Sequence, residues 1–451
     1  MLEIVKKNRV ILVICILYVI ISLAVFGFVT RGNALMGGDS SGYIALAKYL
    51  LSNAFFSSDG VNANYSRTPG YPLFLALIYA LRGSNITVVI MQIVLMTIKL
   101  YIFYRILIML HTPKKLSLLG SLLLICNIQS YGYSFAILTE PLFGFFLMLS
   151  LYFLIYYIKN GKNSWIFLAF SLSLNYALLV RPILMYFNML VCLALLIAFI
   201  LKKIQLKCFV LFTLCFVLVF GGWSYRNYLH SGVFVFSTIQ KTNKQRYYAP
   251  IITAGSEYMK NHDVQGFIEG ATDYHEEMFL QEYPEVKGGN LNAAQIAILR
   301  DKYGSEFIRT HLSEYLMCNI TGFFKMMFTP FQTSLLFMAT TVSAKTMLLK
   351  WAQLIYLVYI IIIYAVYLIG LSIGFKKCAI IQISIFLLSG YLAVAGAIFA
   401  SVRFRDPFFP LLLLSAVSNS GVIIQWLSQK LRIPFLQRME KFLLDETEAG
   451  D

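Results

Sequence analysis

The sequence is poor in charge. Only 13% of its 451 residues are Asp, Glu, Lys or Arg, while 59% are hydrophobic. A water-soluble domain carries about a quarter charged residues and about half apolar ones, so that class is excluded. Acids are the scarcer sign: 21 Asp and Glu stand against 37 Lys and Arg, for a formal charge of +16. Such an excess can serve nucleic acid, but these basic residues sit in short segments between apolar runs, where membrane topology signals lie. No nucleic-acid partner is therefore expected. Cysteine offers no framework either. Cys15, Cys126, Cys192, Cys208, Cys215 and Cys378 lie in or at the edge of apolar runs, and Cys318 elsewhere. No pair has metal-ligand spacing and no extramembrane disulfide set can form. Short blocks of alternating apolar character are missing, which excludes an outer-membrane barrel. Repeats and low-complexity segments are absent too.

What is present is a series of apolar runs, each long enough to cross ~30 Å of hydrocarbon as a helix. They predict an all-α polytopic membrane protein with about ten transmembrane helices, near 10–29, 86–108, 116–136, 141–158, 164–180, 183–201, 208–225, 350–374, 378–399 and 408–428. The first run lacks a small-residue cleavage site and reads as an uncleaved span. The basic segments "HTPKK" (111–115), "KNGK" (159–162) and "KKIQLK" (202–207), with Lys376 and Lys377, fall on one side of this alternation. The positive-inside rule makes that side the cytoplasm, with both termini there. Lys99, inside the second run, is expected to snorkel to the cytoplasmic surface. The stretches 69–81 and 316–342 are apolar but short or broken, and are expected to lie at the outer interface. The predicted organisation is a module of seven spans (1–225) with a first outer loop at 30–85, an outer segment at 226–349, three further spans (350–428) and a cytoplasmic tail (429–451). The part of the outer segment before the interfacial stretch, at roughly 90 residues, forms a small helical cap rather than a large domain.

The polar residues near span ends are concentrated. Asp39, Arg67, Glu140, Arg181, Arg226, Arg403 and Arg405 all fall on the outer side. Arginine at outer span ends runs against the positive-inside bias. Five arginines beside two carboxylates suit an anionic group together with acid/base chemistry, and ionisable groups at membrane depth are functional candidates. Each also has a simpler role. Asp39 in "GGDSSGYI" precedes a predicted amphipathic helix and can serve as its N-cap. Glu140 follows Thr139 at a predicted helix start, where both can cap it. Asp406 beside Arg405 reads as a local partner or helix-start residue. In the outer segment, "HD" (262–263) and "DYHEE" (273–277) read as a solvated helix face. Their spacing matches no strong zinc pattern, although a divalent cation is left open.

These motifs carry a resemblance. "GGDSSGYIALAKYL", "RTPGYPLFLAL", "LTEPLF", "LLVRP", "WSYRN" followed by "GVFVFST", and "RFRDPFFP" occur in that order over about residues 37–413. The chain resembles the multi-spanning GT-C glycosyltransferases, in particular the protein O-mannosyltransferase and aminoarabinose-transferase branch with its bacterial relatives. "FIRTHLSEYLMCNITGFFKMMFTP" (307–330) is a weaker match to an amphipathic stretch of those relatives. Two departures stand out: Gly222 where many relatives have Pro, and Asp39 without an adjacent acid. The resemblance implies a GT-C fold, a polyprenyl-phosphate-linked sugar donor, and transfer with inversion to a lipid, glycan or protein acceptor on the extracytoplasmic face. A bacterial inner membrane is the implied location. Asp39 is implied as the general base, with Glu140 as the candidate second acid. Arg403 or Arg405 is the first choice for the donor phosphate, and Arg67, Arg181 and Arg226 are second choices. Tyr43, Tyr71 and Asn227 are further substrate-site candidates. No cofactor is certain, and a divalent cation is left open, since some members of that superfamily use one and others do not. The competing class is a transporter or flippase for a lipid-linked glycan, which would also want outer arginines and a polar cavity.

Overall fold

The computed structural model describes residues 8–161, 163–260, 264–331, 346–374 and 379–444. Helices dominate, and among the described residues the only β pairing is two isolated bridges. Among the described residues, eight helices are long and apolar enough to cross a membrane: Arg9–Thr30, Asn85–Met109, Glu140–Lys159, Pro182–Ile200, Leu206–Ser231, Lys350–Ser372, Ile380–Phe399 and Phe409–Leu431. The chain is a multi-pass integral membrane protein. Of the other two expected spans, one keeps its bounds and one takes a different form. The run at 164–180 is a 17-residue helix, Ser164–Val180. The run at 116–136 breaks into Lys114–Ile125 and Ile128–Phe135. The cause is Asn127 at the junction. Its amide donates to Ser130 Oγ (2.7 Å) and Asp406 Oδ1 (3.3 Å), and its oxygen accepts from Tyr356 (2.6 Å). A carboxamide with three side-chain partners is worth more here than one more turn of helix.

Burial sorts the spans. Phe409–Leu431 and Glu140–Lys159 lie in the centre, with over half of their apolar windows covered by protein. Pro182–Ile200 and Leu206–Ser231 are covered over less than a fifth, and present Leu193, Ile197, Leu214 and Leu218 outward, as lipid-facing helices do. Glu140–Lys159 packs on Ser164–Val180 and on Asn85–Met109, while Thr346–Gly374 packs on Phe409–Leu431.

Gly70–Ala80 is an 11-residue helix, ~16 Å long and too short to span. Its start is jammed against the end of Ser164–Val180: a methyl group on Gly70 would lie 2.6 Å from the Leu179 carbonyl carbon. Tyr176 donates to the Gly70 carbonyl across the same contact (3.0 Å). Only glycine admits this approach, which brings "SRTPG" alongside "LLVRP". Residues 239–310 form the cap from short helices. Its best-defined member, Ala293–Thr310, begins in a capping box between Asn292 and Gln295. The amphipathic helix Leu312–Phe328 then leads back to the bundle.

Candidate functional site

The segment around Asp39 is held by backbone pairing. Leu35 donates to the Phe135 carbonyl (2.9 Å) and accepts from Ile137 (3.2 Å), and Ser40 Oγ donates to the Ile137 carbonyl (2.9 Å). The opposing strand is held in turn by Gln92, whose side-chain amide donates to the Ser134 and Ala136 carbonyls. Residues 35–40 therefore lie beside residues 135–138, and Asp39 beside Glu140. Gln92 and Ser40 do not figure in the sequence reading. A lone glutamine inside an apolar run was the available signal.

Asp39 occupies the N-cap position of Ser40–Asn53, but its side chain makes no capping bond. The capping role is corrected: Ser40 Oγ accepts from Gly37 N instead, and the Asp39 carboxylate faces two arginines. Arg67 Nη2 lies 2.5 Å from Oδ1, and Arg403 Nη1 lies 2.8 Å from Oδ2. Arg403 also pairs through Nε with Glu140 Oε1, which accepts from Arg181 Nη1 at 3.1 Å. Thr139 does not cap its helix with its side chain. Its hydroxyl points to Glu140 Oε2 at 3.5 Å. The result is a chain of five charges, Arg67–Asp39–Arg403–Glu140–Arg181. Glu140 is fully buried, whereas Asp39 and Arg403 keep about a quarter of their side-chain surface open. Burial raises the Asp39 carboxyl pKa, but Arg67 and Arg403 outweigh it and hold that group below the usual carboxylate range. Tyr43 donates no charge; it accepts from Arg67 Nη1 (3.3 Å), and its ring lies under the same guanidinium.

A cavity of about 1250 Å³ opens from this cluster. Asp39, Tyr43, Arg67, Arg181 and Arg403 line one end, and apolar side chains such as Leu151, Leu154, Leu190 and Leu387 line its run along the spanning helices.

The other candidates lie elsewhere. Arg405 is buried and faces away, donating to the carbonyls of Met326, Met327, Thr329 and Pro330. It ties the end of Leu312–Phe328 to the last loop and has no donor turned to the cavity lining. Arg226 donates to the carbonyls of Asn64 and Phe56 and lies over the Trp223 ring. Asn227 donates to the carbonyls of Val235 and Phe236. Tyr71 is fully buried and donates to Gln92 (2.9 Å). These three brace the loop and the Gln92 clamp.

Further expectations are corrected. Asp406 is not the partner of Arg405. It is buried and accepts from Ser130 (2.7 Å) and Asn127. Lys99 does not snorkel. It is buried beside Gly144, within electrostatic reach of Asp406, because it stands on the covered side of Asn85–Met109 with Met96, Leu100 and Phe103. The "DYHEE" face is not solvated throughout, since His275 is buried between Thr253 and Tyr303 and Glu276 pairs with Arg300. His262 and Asp263 lie outside the described residues. Among the described residues no three His, Cys, Asp or Glu side chains converge as metal ligands. Asp39 and Glu140 are committed to arginines, so the residues present do not form a cation site.

No protein-family model matches this sequence, and no curated protein does. Solved structures share its fold. The archaeal oligosaccharyltransferase AglB from Archaeoglobus fulgidus, in complex with an inhibitory peptide and a dolichol-phosphate, aligns with a TM-score of 0.50 at 10% identity. The match covers 98% of this chain and 54% of AglB, so this chain spans about half the length of that protein. ArnT from Cupriavidus metallidurans bound to undecaprenyl phosphate aligns at a TM-score of 0.41 and 12% identity, over 92% of this chain and 80% of ArnT. Its apo state aligns at 0.38 with the same identity and coverage. The likeness to AglB is one of fold alone: this chain adopts the same kind of helical membrane architecture.

Proposed function

We propose that this protein is an integral membrane glycosyltransferase. It takes a sugar from a polyprenyl-phosphate donor and passes it, with inversion, to an acceptor on the extracytoplasmic face. The observation that carries this reading is the Arg67–Asp39–Arg403–Glu140–Arg181 chain at the head of a long apolar-walled cavity. The positive-inside charge pattern supports that face as outer and both termini as cytoplasmic, and the resemblance of the motifs to bacterial relatives supports a bacterial inner membrane.

The chemistry needs a base, cations for a leaving phosphate, and an apolar groove for the lipid tail. Asp39 is the base. It takes the acceptor hydroxyl proton as the acceptor oxygen bonds to the anomeric carbon, and the bond from that carbon to the phosphate oxygen breaks on the opposite face. Arg403, Arg67 and Arg181 hold the charge that develops on the phosphate. Guanidinium forks bind phosphate oxygens in pairs, and such stabilisation is often the largest catalytic contribution. Arg405 and Arg226, with their donors on backbone carbonyls, are assigned to holding the loops.

The same pairs suggest how the base is released. Without donor, Arg67 and Arg403 keep the Asp39 carboxylate weakly basic. An incoming phosphate competes for those guanidiniums. Each contact transferred to phosphate removes one that depresses the Asp39 pKa, so basicity rises as donor binds.

The test is transfer by purified protein in detergent, from a panel of undecaprenyl-phosphate-linked hexoses and pentoses to cell-envelope lipids and glycans. Transfer in detergent supports the enzyme over the transporter reading, because transport needs a sealed membrane. Absence of transfer from every donor, by protein that folds and binds undecaprenyl phosphate, overturns it.

A further inference from the structure

The cavity has a second polar end, in the cap. Lys241 and Lys244, near Gln240 and Asn243, line it together with Asp301. Lys241 Nζ lies 2.7 Å from Asp301 Oδ2, and Lys244 Nζ lies 2.7 Å from Oδ1. Lys244 also donates to Ser305 (2.9 Å). Two ammonium groups thus share one carboxylate, and one positive charge is left uncompensated. Both lysine side chains keep about a third of their surface open. Over the whole cavity the lining carries Arg67, Arg181, Arg403, Lys241 and Lys244 against Asp39 and Asp301.

This end is fixed relative to the ion-pair chain. Thr238 N donates to the Tyr65 carbonyl (3.0 Å), and Ser237 Oγ donates to the Ser66 carbonyl. Arg67 follows directly. Lys241 stands three residues after Thr238, ~4.5 Å of helical rise. Lys244 is set by close packing, since a methyl group on Gly304 would lie 2.6 Å from the Lys244 carbonyl carbon. The two lysines are therefore a built feature of the cavity wall about one helical turn beyond the segment that carries Arg67.

We propose that Lys241 and Lys244 form the acceptor subsite, and that the acceptor carries a phosphate or carboxylate group held between them. This rests on the reading of the Asp39 end as the place of transfer. The surroundings separate it from the donor phosphate. A polyprenyl tail needs an apolar wall, which runs from the Arg403 end along Leu151, Leu154 and Leu387. The lysines instead stand beside the Gln240 and Asn243 amides in the cap, a polar wall that does not suit a polyprenyl tail. Lysine binds such a group as a point charge that tolerates several orientations. Asp301 spaces the ammonium groups while the subsite is empty.

The test uses full-length protein in nanodiscs loaded with undecaprenyl phosphate, titrated calorimetrically with glycerol 3-phosphate. Wild type is expected to bind in the millimolar range. The double variant Lys241→Gln/Lys244→Gln should bind at least tenfold more weakly and leave undecaprenyl-phosphate affinity unchanged. Asp301→Asn removes the competing carboxylate and should tighten binding severalfold, which a purely structural ion pair would not do. Three results overturn the proposal: no binding by wild type up to about 10 mM, equal weakening by Asp301→Asn and the double variant, or loss of undecaprenyl phosphate from the double variant, which would make the lysines part of the donor site. Wild type that binds glycerol 3-phosphate through the lysines but never undecaprenyl phosphate would instead overturn the donor reading, and the acceptor assignment with it.

Discussion

The Arg403 guanidinium reaches the Asp39 carboxylate at 2.8 Å although the two residues lie 364 positions apart. Through its other edge it holds Glu140, so one side chain closes the first loop, the start of Glu140–Lys159 and the last loop into a single cluster.

Replacing Asp39 with Asn should lower transfer by ~10²–10⁴-fold, the usual worth of a positioned base. Undecaprenyl-phosphate affinity should fall far less, because the arginines remain. Single-turnover transfer and equilibrium lipid binding measure the two separately. Full transfer by the Asn variant would remove Asp39 from the chemistry.

Arg403 and Arg405 should behave differently despite being two residues apart. Arg403→Gln should weaken undecaprenyl-phosphate binding by tenfold or more. Arg405→Gln should mainly lower the melting temperature, since it removes the guanidinium from the carbonyls of Met326, Met327, Thr329 and Pro330, of which Met327 keeps Tyr364 as a donor. Lipid titration alongside thermal melting of both variants reads this contrast.

Glu140→Gln should destabilise the fold by roughly 3 kcal/mol, the scale of breaking a buried ion pair from one side. Glu140 is fully buried and faces both Arg403 and Arg181, which would be left sharing a neutral amide. Thermal melting in detergent should show the loss, and Glu140→Asp should restore part of it.

The acid limb of kcat/KM reports ionisation in the free enzyme. Asp39 titrates below its ordinary value of 3.8, with burial opposed and outweighed by Arg67 and Arg403. The carboxylate is thus charged across neutral and mildly acidic pH, and the stability its pairs contribute is lost only as pH falls below that value. In Arg403→Gln the limb should move upward. A pH profile from 3 to 7 of both proteins decides, and an unmoved limb would disconnect Arg403 from the base.

His275 offers a second pH signature. Burial, with His311 adding to it, lowers its pKa from 6.5 to about 4. The unfolded chain takes up that proton first, so the cap should lose stability as pH falls from about 6.5 towards about 4. Hydrogen exchange within Ala293–Thr310 should rise over that window in the wild type and change little in His275→Gln.

How much of this was legible in the sequence differs by element. The spans at 10–29, 86–108 and 141–158 appear within two residues of their expected bounds, because an apolar run in lipid must satisfy its backbone internally and helix is the local answer. The break at Asn127 was not legible, since its partners Asp406 and Tyr356 come from far along the chain. Arg403 and Arg405 looked equivalent as motif residues. Two positions apart on a helical turn, they point in different directions, one into the cavity and one into the carbonyls at the end of Leu312–Phe328. Asp39 read as a catalytic residue that could cap its helix as well. Ser40 took the local hydrogen bond and left the carboxylate to the arginines.

Composition and charge placement by themselves determined that this chain is a helical membrane protein, and that arginines and two acids gather at the span ends away from the short basic segments. Those are local properties: hydrocarbon length, backbone hydrogen bonding and short-range charge. The tertiary structure alone decided which of those charges meet. Ion pairs between residues hundreds of positions apart exist only once close packing, as at Gly70 against Leu179, has fixed the distances between helices.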